Sequence, residues 1–133
     1  MRNVIVYVSD HELAEIAAVG IRLAAGWNAE IVHDLDELSA VLKVNSVYAI
    51  LSVALRSSIN ILLDTRDLLV VAKAYSTPVV VLTPEPDLCE RLRDFEVLPV
   101  CNAFDPLLLS GLIDEAVSAS QLFASAAGTQ THA

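Results

Sequence analysis

Glycine is scarce in this chain: there are four in 133 residues, with no G-x-G pair and no G-K-[ST] triplet. A phosphate-cradling loop needs clustered glycine so that backbone N–H groups can approach the ligand, and both the Walker and the dinucleotide fingerprints are therefore excluded. Basic residues are also few, eight against seventeen acidic ones, for a formal net charge of −9. Binding to a phosphate backbone draws on clustered Lys and Arg, so a direct nucleic-acid partner is not expected. The two cysteines, Cys89 and Cys101, are too far apart for a C-x-x-C motif and no histidine pair accompanies them in sequence. They read as ordinary free thiols, and no metal or cofactor is expected. Long apolar runs are missing, and residues 1–8 lack the apolar segment and small-residue cleavage site of a secretory signal. The expectation is a soluble, cytoplasmic protein without a membrane partner.

What the chain does have is apolar mass. Hydrophobic residues make up 55% and charged residues 19%, a balance that excludes intrinsic disorder. At this length a single domain buries roughly two-thirds of its unfolded surface. The most apolar stretch is 47–55, interrupted only by Ser52. Such a run, apolar on both sides, suits a central strand of a parallel sheet covered on both faces. Ligands gather at the carboxyl ends of such strands, which makes Ser52 the first residue to question.

Around that stretch the pattern is regular. A strand is predicted over 3–8, followed by Ser9, Asp10 and Glu12 in the S-x-x-E arrangement of a helix start. The helix runs to Ala25, with Leu13, Ile16, Ala17, Gly20, Leu23 and Ala24 as its apolar stripe, Glu15 and Arg22 opposite, and Gly26 as its stop. A second strand over 29–33 leads to a helix capped by Asp34 and ending near Lys43. After the third strand, Asn60 reads as the cap of a helix over 61–75. The fourth strand, 79–82, leads to a short helix from Pro84 and Pro86 to about Phe95. A fifth strand over 97–101 carries Pro99, which assigns it to an edge. Asp105 and Pro106 cap a last helix whose stripe is Leu108, Leu109, Leu112, Ile113, Ala116 and Phe123. The domain is placed at residues 1–123, and residues 124–133 are expected to form a disordered tail. Five βα units with short connections predict an α/β, three-layer, flavodoxin-like domain with a five-stranded parallel sheet in the order 2-1-3-4-5.

This element order resembles the receiver domain of bacterial two-component response regulators over residues 3–123. Val80, Val81, Leu82 and Thr83 before the fourth loop carry part of the likeness. The segment Cys101, Asn102, Ala103, Phe104, Asp105 and Pro106 carries the rest, being similar to the family's Lys-Pro-Phe region. The resemblance implies an acidic pair after the first strand, a phospho-accepting aspartate after the third, Thr or Ser after the fourth and lysine after the fifth. Those positions hold Ser9 and Asp10, Ser52, Thr83, and Asn102. It therefore resembles the pseudo-receiver branch, with the fold kept and the phosphoryl chemistry lost, and implies a non-enzymatic signalling module that works through protein contacts. Residue chemistry agrees: Ser52 cannot form an acyl phosphate, Asn102 cannot neutralise one, and Asp10 alone remains to hold Mg²⁺.

Two further readings stay open at this stage. Ser9, Asp10, Ser52, Thr83 and Asn102 also suit a small-ligand or anion pocket at the carboxyl rim of a binding or enzymatic flavodoxin-like domain, although polar strand ends and caps occur in any such fold. The third helix carries Leu63, Val70 and Ala74 beyond its main arc of Ile61, Leu62, Leu68, Leu69, Ala72 and Tyr75. That extra stripe is either an interface or more deeply buried surface. With Leu107 and Leu122 at the margins of the last helix, it makes a homodimer the expected assembly, alongside an unidentified protein partner. His11, His33 and His132 sit on separate predicted elements and suggest no catalytic pair. The acidic cluster Asp34, Asp36 and Glu37 reads as a solvated helix start.

Overall fold

The structure, a computed structural model, describes residues 1–56 and 59–131; for 59 and 122–131 only the backbone is described. The elements are β1 (Asn3–Tyr7), α1 (His11–Ala25), β2 (Asn28–Val32), α2 (Leu35–Val44), β3 (Ala49–Val53), α3 (Ile59–Ala74), β4 (Val79–Thr83), α4 (Pro86–Leu92) and β5 (Leu98–Cys101). A 3₁₀ turn, Pro106–Leu108, then leads into α5 (Leu109–Thr131). The strands form one parallel sheet in the order β2-β1-β3-β4-β5, as the alternation predicts.

Period-two alternation along each strand divides the core into two layers. Val4, Val6, Ala49, Leu51, Val80 and Leu82 face α1 and α5, meeting Ala14, Ala17, Ala18, Ile21, Leu109 and Ile113. Ile5, Ile50, Val79 and Val81 point the other way, onto Leu38 and Leu42 of α2, Leu68 and Ala72 of α3, and Leu88 and Leu92 of α4. Both faces of β3 are thus covered, which is why its sequence is apolar without alternation. β5 is one of the two edges, pairing with β4 alone, and Pro99 sits in register with Val81.

Several local expectations are corrected. The cap of α1 is Asp10, whose Oδ1 accepts from Leu13 N–H at 3.0 Å, one residue beyond Ser9. The carboxylate there also complements the helix dipole. The stripe of α1 is rotated: Ala14, Ala17, Ala18, Gly20 and Ile21 are buried, whereas Ile16 and Leu23 are 50% and 73% exposed. Small residues let the helix pack close to the sheet, and the larger ones are left outside. β3 is shorter than 47–55, because Tyr48 enters through an N–H to Asn3 carbonyl bond and Leu55 turns outward. Asn60 lies inside α3 and does not cap it. The last helix does not end at 123 but continues to Thr131, consistent with the helix propensity of Ala124, Ala126 and Ala127.

At the amino end of the sheet, α5 is tied down by a polar cluster. The Tyr48 hydroxyl donates to Asp114 Oδ1 at 2.6 Å, and the Arg2 guanidinium bonds the same oxygen at 2.5 Å. Arg2 also lies 4.1 Å from the Tyr48 ring centroid and 5.3 Å from that of Trp27. The Tyr48 hydrogen bond and then Arg2 hold the Asp114 carboxyl below its ordinary value. A carboxylate with a depressed native value stabilises the fold above its unfolded value and loses that contribution as pH falls through the native one. Asp114→Asn is therefore expected to flatten the stability profile below about pH 4. Urea melts across the acid range check this, and an unchanged acid limb would contradict it.

Candidate functional site

The carboxyl rim of the sheet holds a cavity of 70 Å³ between β1, β3 and α3. Tyr7 and Ser9 reach it from the end of β1, Ser52 from β3, and Asp64 and Thr65 from the first turns of α3. The Thr65 hydroxyl is buried and donates to the Ile61 carbonyl at 2.7 Å, which commits its proton to the helix. Burial, then the charges of Asp64, Asp34 and Asp67, push the Tyr7 phenol above its ordinary value. Three aspartates set the charge around Tyr7, and among the described residues no Lys or Arg lines the cavity. Such charge repels a phosphate group rather than drawing it in.

Of the five residues singled out at the rim, the structure brings Ser9 and Ser52 to this cavity and assigns the others elsewhere. Asp10 is engaged as the cap of α1. Thr83 is fully buried, its hydroxyl accepting from Glu85 N–H at 3.1 Å and its carbonyl from Asn102 N–H at 3.0 Å. Asn102 is exposed at the end of β5. Tyr7, Asp64 and Thr65 were not anticipated as part of the site. The signal for Thr65 was present, since it is polar between Ile61 and Leu68 on the inward arc of α3, with Asp64 exposed beside it.

Proximity invisible in sequence also appears. His11 and His33, read as scattered, have ring centroids 5.6 Å apart, because β1 and β2 pair in parallel with Tyr7 beside Val32 and both histidines follow those strand ends. The Cys89 thiol meets Cys101 and is pushed up by burial first and by that neighbour second. Both are free thiols. Among the described residues no helix is long and apolar enough to cross a membrane.

The proposed interface residues lie on two opposite surfaces. Leu63, Val70 and Ala74 are exposed on α3, on the α2–α3–α4 side of the sheet. Leu107 is exposed on the other side, beside α1. The side chain of Leu122 is outside the described residues. The sequence reading missed the groove next to Leu107, a volume of 320 Å³ lined by Ile16, Val19, Leu23, Pro106, Leu107 and one charged residue, Glu15. It was missed because Ile16 and Leu23 were assigned to the core.

No protein-family model matches the chain, and no curated protein matches it. Solved structures do. A response regulator receiver domain from Clostridium thermocellum is 14% identical with a TM-score of 0.62, covering 92% of this chain and 99% of its own. The receiver domain of Francisella response regulator 1452 is 15% identical with a TM-score of 0.60, covering 90% and 99%. A de novo designed Rossmann 2x3 fold protein, 16% identical, reaches 0.57 over 94% and 90%. With a designed protein among the neighbours, the likeness is one of fold.

Proposed function

We propose that this chain is a receiver-like domain of bacterial signal transduction that does not accept a phosphoryl group, is not an enzyme, and acts through protein contacts in the cytoplasm. The observation that carries the reading is the rim itself. Ser52 stands where the receiver likeness calls for an aspartate, the adjoining cavity is ringed by Asp64 and a neutral Tyr7, and no basic side chain lines it. The small-ligand reading is disfavoured by size, since 70 Å³ is well below the roughly 300 Å³ at which small-molecule sites begin. Function is then left to the surfaces. The groove of Ile16, Val19, Leu23 and Leu107 is an exposed apolar surface, and a second copy of the chain is its proposed occupant, giving a homodimer across a two-fold axis.

Sedimentation with and without acetyl phosphate and Mg²⁺ tests both parts. The wild type is expected to run at twice the chain mass in either condition, and the Ile16→Glu, Leu23→Glu double variant at the single mass. A mass or NMR spectrum that responds saturably to acetyl phosphate would overturn the loss of phosphoryl chemistry. A wild-type monomer at high concentration would overturn the dimer.

A further inference from the structure

We propose that His11 and His33 form the protein half of an open binding site for a divalent cation of the zinc class, on the rim between the start of α1 and the end of β2. Two observations carry it, independently of the function proposed above. The imidazole centroids are 5.6 Å apart and their planes are tilted by 37°. With metal–nitrogen bonds of about 2.0–2.1 Å, an ion sits about 3.2 Å from each ring centroid, and a tetrahedral angle then puts two ligating rings about 5 Å apart. The pair is within a small side-chain rotation of that separation, and both residues are exposed, so water-borne ions reach them.

The second observation is the partner of His11. Its Nε2 lies 3.2 Å from Glu15 Oε1, one helical turn on. A carboxylate this close to Nε2 favours the tautomer that carries its proton there and leaves Nδ1 as the ligand nitrogen, a disposition found behind metal-bound histidines. Among the described residues no three His, Cys, Asp or Glu side chains gather to enclose an ion. The site is therefore an open one, completed by water or by an incoming group. Imidazole nitrogen selects zinc, copper or nickel over magnesium or calcium, which take oxygen. The site is thereby distinct in chemistry from the carboxylate position of Asp10, which caps α1.

Titration of the full, untagged chain with Zn²⁺ and separately with Mg²⁺, by calorimetry at about pH 7.5 since metal affinity depends on pH, tests the proposal. One equivalent of Zn²⁺ is expected to bind, with no Mg²⁺ heat at matched concentration. His11→Gln and His33→Gln should each weaken Zn²⁺ binding by about tenfold or more, and Glu15→Gln by about tenfold. His132→Gln should leave it unchanged. Cu²⁺ should broaden amide NMR signals around residues 11 and 33 first, a readout that also confirms the variants are folded. Zn²⁺ binding that survives both His11→Gln and His33→Gln, or that is lost with His132→Gln, would overturn the proposal, as would the absence of binding to the wild type.

Discussion

Gly20→Ala is expected to lower the thermal midpoint by roughly 10 °C, a loss of about 3 kcal/mol for a domain of this size. A Cβ built at Gly20 falls 2.3 Å from the Pro106 carbonyl oxygen and 2.5 Å from both its carbonyl carbon and its Cβ. The obstacle is backbone on one side and a helix on the other, so no flexible side chain can give way. Either α1 or the Pro106–Leu108 turn has to move, at the upper end of what overpacking costs. The same seam forms the floor of the apolar groove, so the substitution should also weaken self-association. Calorimetry and sedimentation read the two effects, and a variant within 0.5 kcal/mol of wild type, on the order of an ordinary surface change, would show that the seam is loose.

Leu51→Ala should cost about 2–5 kcal/mol, whereas Ser52→Ala, one residue on, should stay within about 0.5 kcal/mol. Leu51 is fully buried between β1 and β4 and faces the α1–α5 layer, where truncation leaves a cavity that neither helix can collapse into. Ser52 is half-buried at the wet end of the same strand and faces the rim cavity. Urea unfolding of the two variants measures the contrast. Equal losses would mean that Ser52 is a structural keystone, and the reading of the rim as a relic of phosphoryl chemistry would fall with it.

Legibility from sequence followed the range of the forces involved. Helix starts, the αL stop at Gly26 and the edge position of β5 were readable because each rests on one residue's backbone chemistry. Even there, the S-x-x-E pattern pointed to Ser9 where Asp10 is the cap, and Asn60 lies inside the helix it was expected to cap. The order of the sheet was readable because parallel connections leave few topologies open. The membership of the site was only half readable: Ser9 and Ser52 share a cavity, while Thr83 is spent on Glu85 and Asp10 on its own helix. Which of Ile16, Ile21 and Leu23 faces inward was not readable, since all lie on an apolar helix and the decision depends on how closely α1 approaches the sheet.

The amino-acid sequence by itself determined the layers of this protein, their order and the serine at the end of the central strand, because alternation, capping and residue identity are local properties. Only the tertiary structure decided which surfaces and groups meet. It put Leu63 and Leu107 on opposite faces, exposed the Ile16–Leu23 groove, and set His11 beside His33 and Cys89 beside Cys101. Those encounters join residues far apart in the chain, and their distances follow from strand register and helix packing together, which no single stretch of sequence encodes.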